Sequence, residues 1–191
     1  MERVKDEKSE LYNYGYLSNL VNSYLSEWLE RNNIESLKSE PQNVFNAFNI
    51  AVGRNAIRPI LDATKDKGAY DVKLLNTLFD IYTSICSLYN KEVNINGFSY
   101  FCNVSTTMFS DWVNNKRSRS AGEELTSARM ELVKKIHKTR EDSLSNMLTS
   151  GKNPVGTIAI LNHAYHWQSD SNVYEEQQKA ISIKQLPKLL N

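Results

Sequence analysis

The chain contains few of the residues that interrupt helices, since its 191 residues include only seven glycines and four prolines. Both residue types mark turns, so their scarcity disfavours turn-rich β structure and favours long helices. Apolar side chains recur at helical spacing through most of the sequence, and no segment strongly indicates a strand. The sequence therefore predicts an all-α protein built as a helical bundle.

Cysteine is also rare, and the chain has only Cys86 and Cys102. Each lies within an apolar helical pattern, which favours buried thiols in a reducing compartment over a disulfide framework. No apolar run approaches the roughly twenty residues needed to cross a bilayer. Residues 1–9 are hydrophilic and of mixed charge, unlike a signal peptide. We expect a cytoplasmic protein without a membrane partner.

Net charge is nearly absent, because 23 Lys and Arg residues face 22 Asp and Glu residues and leave a charge of +1. This balance excludes a generally basic protein that coats nucleic acid. The distribution is nevertheless uneven, since residues 116–152 contain nine basic and five acidic side chains. A local excess of this kind is suited to contacting phosphates.

The segment that says most about function is residues 94–119. It predicts a short helix with three apolar residues on one face: Ile95, Phe98 and Phe101. Asn103 can adopt the left-handed conformation of a tight turn, and Ser105 can cap the next helix. The second helix is predicted to bury four side chains: Met108, Phe109, Trp112 and Val113. This pattern is typical of a helix-turn-helix, whose second helix enters the DNA major groove.

Two sets of side chains near this second helix are candidates for DNA contacts. Small polar side chains suited to base edges face outward from it: Thr106, Thr107, Ser110 and Asn114. Basic side chains that can bind flanking phosphates follow directly: Lys116, Arg117 and Arg119. Asp111 on the same helix would repel phosphates, although a carboxylate can accept a hydrogen bond from a cytosine amino group.

A purely structural explanation of these patterns stays open. Two short helices joined by a tight turn occur in many all-helical domains, so the shape alone is a weak signal. Four further basic residues follow on the next helix: Lys134, Lys135, Lys138 and Arg140. For these four we favour a solvated helix face, partly balanced by Glu131, Glu141 and Asp142.

Four regions are predicted along the chain. Residues 1–66 form an N-terminal helical region, and residues 67–119 form the helix-turn-helix DNA-binding region. Residues 120–168 form a helical hairpin that we expect to mediate oligomerisation. Residues 169–191 form a tail that is either docked on the protein or bound to a partner.

Hydrophobic periodicity predicts the individual helices. They cover residues 11–31, residues 41–52, residues 72–89, residues 121–149 and residues 155–164. Residues 54–61 are ambiguous, because Pro59 argues against an uninterrupted helix after Gly53. The helix at 72–89 is apolar on nearly all sides, Leu88 included, which indicates a central position. The short closing helix is expected to pack Ile158, Leu161 and Tyr165.

The sequence offers no arrangement typical of catalysis. Gly151-Lys152 lacks the upstream glycine that a phosphate-binding loop needs. His163 and His166 share a helical face, but no Cys, Asp or Glu between Asp142 and Asp170 could complete a zinc site nearby. No serine lies in a nucleophile elbow. We therefore expect no enzymatic activity, no metal and no cofactor.

Residues 71–167 resemble the phage small terminase subunits, which act in DNA packaging. The resemblance rests on Asp71 with the following Leu-Phe-Asp-Ile-Tyr, on Gly-Phe-Ser-Tyr-Phe and Phe-Ser-Asp-Trp, and on residues 151–167. It implies a non-catalytic homo-oligomeric ring that recognises viral double-stranded DNA for a large terminase ATPase. It further implies that residues 121–149 and 155–167 oligomerise, and that residues 185–191 contact the large subunit. The roughly ninety residues before the helix-turn-helix depart from the family pattern.

Two other functions are compatible with the sequence. The first is a dimeric regulator of transcription or replication from a phage or another mobile element. The second is a helical protein–protein interaction module that does not bind DNA. A dimer would bind a site with twofold symmetry, so the mass in solution separates a regulator from a ring. Absence of DNA binding at low salt would leave only the interaction module.

Overall fold

The computed structural model describes residues 12–66, 69–114, 123–149, 154–165 and Trp167. Within these residues the protein has eight α-helices, one π-helical turn at Gly53–Ile57 and no β-strand, so the predicted all-α class is confirmed. The helices are α1 (Tyr14–Arg31), α2 (Gln42–Val52), α3 (Arg58–Ala63), α4 (Val72–Tyr89), α5 (Ile95–Cys102), α6 (Thr106–Val113), α7 (Glu123–Thr149) and α8 (Pro154–Tyr165). None of the helices described here combines the length and the apolarity required to span a membrane.

Side chains and left-handed residues set the ends of the central helix α4. The Asp71 carboxylate accepts hydrogen bonds from the backbone N–H groups of Lys73 at 2.7 Å and Leu74 at 3.2 Å. The first backbone N–H groups of an α-helix have no acceptor within the helix itself. Because the Asp71 carboxylate supplies one, it stabilises the first turn. Asn90 ends the helix with φ 59°. The predicted start at Asp71 and end near Tyr89 are both confirmed.

The chain divides into two compact units, residues 1–143 and residues 144–191. In the first unit, α1 to α6 and the adjoining part of α7 share one hydrophobic core. Phe45 of α2, for example, stacks against Tyr82 of α4 with ring centroids 6.4 Å apart. The predicted boundary between residues 66 and 67 falls inside this core, so the N-terminal helices are part of the structure that supports α5 and α6.

The regular α-helix α2 ends just before Gly53, where the sequence predicted an interruption. The chain continues through the π-helical turn directly into α3. Pro59 occupies the second position of α3. The π turn before it breaks the regular α-helical hydrogen-bond pattern, which is what a proline at this point requires. The ambiguous residues 54–61 are therefore helical throughout.

Three apolar residues predicted to be buried are exposed: Leu88, Val113 and Ile158. Leu88 lies in the last turn of α4 and is 67% exposed, whereas Ile81 and Ile85 of the same stripe are buried. Helical spacing identifies the face on which a residue lies, but the length of the packed stretch depends on the neighbouring helices. The expectation of burial was wrong for these three residues.

Both cysteines are free and buried, in agreement with the sequence prediction. Burial raises the pKa of the Cys86 thiol to about 12. Because the thiolate is the reactive form of cysteine, burial makes this residue chemically inert at neutral pH. Both thiols therefore serve as small apolar side chains of the core.

Candidate nucleic-acid interface

Helices α5 and α6 are joined by a short turn that the sequence predicts in detail. Asn103 adopts the left-handed conformation with φ 50° and ψ 47°. Its side chain is small and polar, which makes this conformation accessible at low cost. Ser105 then caps α6, and its hydroxyl accepts a hydrogen bond from the backbone N–H of Thr107 at 3.3 Å. The predicted turn and the predicted cap are both confirmed.

A chain of aromatic contacts connects the helix pair to the central helix. The Phe98 ring of α5 lies 5.1 Å from Phe79 of α4 and 5.6 Å from Phe109 of α6. Phe109 in turn meets the edge of Trp112 at 5.5 Å. Such edge and tilted ring pairs add to the energy of burial. The inner side of α6 is therefore packed against a core that fixes the direction of its outer side.

The turn is also tied to the N-terminal helices by Arg58 of α3. One terminal nitrogen of Arg58, Nη1, donates to the carbonyl oxygen of Asn103 at 2.6 Å, and Nε donates to the Asp62 carboxylate at 2.8 Å. The Asp62 hydrogen bond is the main reason that the pKa of Arg58 is raised above its ordinary value. The guanidinium also lies 5.6 Å from the centre of the Tyr70 ring. Local sequence patterns give no sign of this contact.

The outward side of α6 contains most of the predicted base-contacting residues. Thr107, Ser110 and Asn114 are exposed, whereas Thr106 is half-buried. The Thr107 hydroxyl lies 2.7 Å from the Ser105 hydroxyl, and the Asn114 side-chain amide donates to the Ser110 carbonyl at 2.9 Å. Among the described residues, the Ser110 hydroxyl has no hydrogen-bond partner. Ser110 is therefore the side chain of this set that is most available to a ligand.

Val113 joins this outward side, although the sequence predicted that it would be buried. It is the last residue of α6 and is 50% exposed. The core contacts of α6 end with Trp112, one residue earlier. An apolar side chain on this side can contact the methyl group of thymine. Its exposure thus adds an apolar group to a surface that otherwise consists of hydroxyls and amides.

The three basic residues predicted to bind phosphates, Lys116, Arg117 and Arg119, lie outside the described residues. Three basic residues of α7, Lys135, Lys138 and Arg140, are engaged in ion pairs within the protein. Lys135 lies 2.6 Å from Asp80 of α4, and Arg140 lies 3.2 Å from Glu92. Lys138 pairs with Glu141 and Asp142 on its own helix. The predicted solvated face holds for Lys134 and Lys138, which are exposed, whereas Lys135 and Arg140 are half-buried and pair with carboxylates outside α7.

Arg129 of α7 was not among the candidates predicted from the sequence. Its guanidinium lies over the Trp112 ring of α6, with the central carbon 5.3 Å from the ring centre. Arg129 is 17 residues further along the chain than Trp112, so no helical periodicity relates the two. The only indication of this contact in the sequence is that residue 129 is basic.

Two histidines near the end of α8 share a predicted helical face, although no metal site was expected there. His163 is exposed, and His166 lies outside the described residues. In the part of the chain that the structure describes, no three His, Cys, Asp or Glu residues are arranged to hold a metal ion.

Comparisons of the chain with family models, with curated proteins and with solved structures found no match. What the helix pair binds must therefore be inferred from its own geometry and charge.

Proposed function

We propose that this protein binds double-stranded DNA through α6 and does not catalyse a reaction. The observation that carries the proposal is the two-sided character of α6. Its inner side is fixed by Phe109 and Trp112, and its outer side presents Thr107, Ser110 and Val113. An α-helix with its side chains is about 10–12 Å in diameter, which fits the DNA major groove, about 12 Å wide.

Each group at this surface has a role in the proposed complex. The Ser110 and Thr107 hydroxyls would contact base edges, and Val113 would contact a thymine methyl group. Lys116, Arg117 and Arg119 directly follow α6 in the sequence and would bind phosphates on either side of the groove. The fixed turn at Asn103 would hold the start of α6 at a constant angle to the groove.

The more specific proposal is a phage small terminase subunit that recognises viral DNA for a large terminase ATPase. It rests on the sequence resemblance, and one feature of the second unit supports its homo-oligomeric form. Val155 of α8 is 78% exposed, and Ile158 on the neighbouring turn is exposed as well. Exposed apolar groups of this kind are typical of surfaces that contact another subunit.

Measurement of the mass of the full chain in solution tests the packaging proposal. We expect a closed ring of about eight or more subunits, because head-to-tail contacts that close produce rings. Val155→Asp should shift the distribution towards smaller species, since it places a charge in the expected contact. Lys38→Asp, an exposed change outside residues 121–167, should leave the mass unchanged. A dimer in the unaltered protein would instead indicate a regulator that binds a site with twofold symmetry.

Titrations with duplex DNA at several salt concentrations test DNA binding itself. Replacing Lys116, Arg117 and Arg119 together with alanine should weaken binding to all sequences alike. The slope of log affinity against log salt should fall by up to about three phosphate contacts. Ser110→Ala should leave this slope unchanged and reduce the preference for the best site by roughly 1–3 kcal/mol. Fluorescence anisotropy measures both effects.

Two matched controls make this experiment specific. Three exposed lysines elsewhere, Lys38, Lys73 and Lys134, changed together to alanine alter the net charge equally and should change the slope much less. Ser26→Ala removes an exposed serine hydroxyl from α1 and should leave site preference intact. Equal slopes for the two triple variants would show that residues 116–119 are not the phosphate-binding segment. Absence of binding at low salt would end the DNA-binding proposal.

A further inference from the structure

Arg129 is a buried arginine whose charge the described residues do not balance. The residue is only 9% exposed, and its guanidinium carbon lies 5.3 Å from the centre of the Trp112 ring. The Nε atom is fully enclosed and has no hydrogen-bond partner within the part of the chain that the structure describes. Buried polar groups in proteins are nearly always hydrogen-bonded, so an enclosed guanidinium nitrogen without a partner needs an explanation.

Among the described side chains of α7, those one turn away from Arg129 include no carboxylate. The residues three and four positions away, which share its side of α7, are Leu125, Thr126, Leu132 and Val133. From α6, the group that faces it is the indole of Trp112. Burial lowers the pKa of the Arg129 guanidinium from its ordinary value, and no neighbouring charge opposes this effect. An anion at this position would therefore offset the cost of burying the cation.

Other basic residues of α7 show what a purely structural cation looks like in this protein. Lys135 reaches Asp80 at 2.6 Å and Asn76 at 2.9 Å, and Arg140 reaches Glu92 at 3.2 Å. Their charges are balanced by side chains that fold next to them. Arg129 is more buried than either and has no such partner among the described residues. Its role therefore differs from theirs.

The contact with Trp112 suits Arg129 for binding a phosphate. An indole face attracts a guanidinium and holds its plane, which leaves the edge of the group as the donor surface. A fixed guanidinium edge matches two oxygens of a phosphate better than a flexible ammonium does. Trp112 is followed by Val113, the last residue of α6, and by Asn114, and both are exposed. Arg129 thus contacts the C-terminal end of α6, the end after which the basic residues Lys116, Arg117 and Arg119 follow in the sequence.

We propose that Arg129 is a phosphate-binding residue of the DNA interface, held over Trp112 and completed by a backbone phosphate beside α6. This inference rests on the proposed DNA-binding function and adds a contact from a helix outside the helix pair. The phosphate supplies the counter-charge that the described residues around Arg129 do not. The indole fixes the guanidinium before DNA arrives, so little side-chain freedom is lost on binding.

The salt dependence of DNA binding by the full chain tests this role. Arg129→Gln should reduce the slope of log affinity against log salt by about one, the value for one lost phosphate contact. Arg129→Lys keeps the charge and should restore most of the slope, but with weaker binding than the unaltered protein at every salt concentration. Lys134→Gln removes an exposed charge from the same helix and should have a much smaller effect. A slope equal to that of the unaltered protein in Arg129→Gln would overturn the proposal.

A second measurement does not require DNA and separates the two proposals. In ¹⁵N spectra that report arginine Nε–H groups, the signal assigned to Arg129 should shift saturably with inorganic phosphate. The same ionic strength supplied as chloride should leave that signal in place. If the protein binds no DNA but this signal responds to phosphate, the anion site is supported while the proposed function fails. If the signal does not respond and the slope is unchanged, Arg129 only covers Trp112.

Circular dichroism of each variant verifies the fold before these comparisons. If Arg129→Gln does not fold, Arg129→Lys carries the test, since it keeps the charge and the aliphatic stem. The decisive result is then its binding constant at several salt concentrations. Affinity equal to that of the unaltered protein would contradict a role for the guanidinium edge.

Discussion

Replacing Gly53 with alanine is expected to lower the free energy of unfolding by about 3 kcal/mol or more, at the upper end of overpacking effects. A Cβ atom at this position would collide with the carbonyl oxygen of Tyr100 and lie 2.9 Å from that of Phe101. Both oxygens belong to the backbone of α5, so they cannot move without displacing the first helix of the pair. Urea denaturation followed by circular dichroism measures the loss.

Gly15→Ala is the matched control for this substitution. At the start of α1, an added Cβ meets only the flexible side chain of Asn13, at 3.1 Å. Alanine is the better helix former by about 1 kcal/mol, so this variant should be as stable as the original or slightly more stable. If Gly53→Ala unfolded at the same urea concentration as the unaltered protein, the π turn would have to be free to move away from α5.

Replacing Phe98 with alanine is expected to cost about 3–5 kcal/mol. Phe98 is fully buried and touches rings of two neighbouring helices, those of Phe79 and Tyr82 in α4 and that of Phe109 in α6. Its loss leaves a cavity where α4, α5 and α6 meet. Because the inner side of α6 depends on this contact, DNA binding should weaken together with stability. Thermal and urea unfolding, combined with anisotropy titrations, measure the two effects.

Two variants show whether this loss comes from packing. Phe98→Leu keeps an apolar side chain and should cost clearly less than alanine. Tyr100→Ala removes an aromatic ring from the exposed side of the same helix and should change stability only slightly. If Tyr100→Ala were as harmful as Phe98→Ala, the cost would come from altering α5 in general and not from the aromatic contacts.

Several local features of the fold were predictable because the residues that cause them act on their own backbone. Asp71 and Ser105 cap the helices that follow them, and Asn103 adopts the left-handed conformation of the turn. Each effect involves atoms only a few positions apart, so a short stretch of sequence contains the whole cause. The outward direction of Thr107 and Ser110 follows in the same way, from the helical period of the apolar residues around them.

Other features were not predictable because their causes lie far apart in the sequence. The close approach of α5, almost fifty residues later in the sequence, is what requires a glycine at position 53 of the π turn. The exposure of Val113 depends on where the core beside α6 ends. Arg129 became a candidate only when the fold placed it over Trp112. In each case helical periodicity gives the direction of a side chain but not the identity of its neighbour.

The hydrogen bond from Arg58 to the Asn103 carbonyl limits how helices α5 and α6 can be transferred from one protein to another by recombination. A recombination event that transferred only residues 67–119 to another protein would carry α4, α5 and α6 with it. It would leave behind Arg58, which lies 45 positions before the turn it holds, and also the π turn on which α5 rests. A segment that keeps these contacts begins at or before Gly53, and the first compact unit, residues 1–143, contains all of them. Lineages that exchange this proposed DNA-binding surface should therefore exchange the π turn and α3 with it.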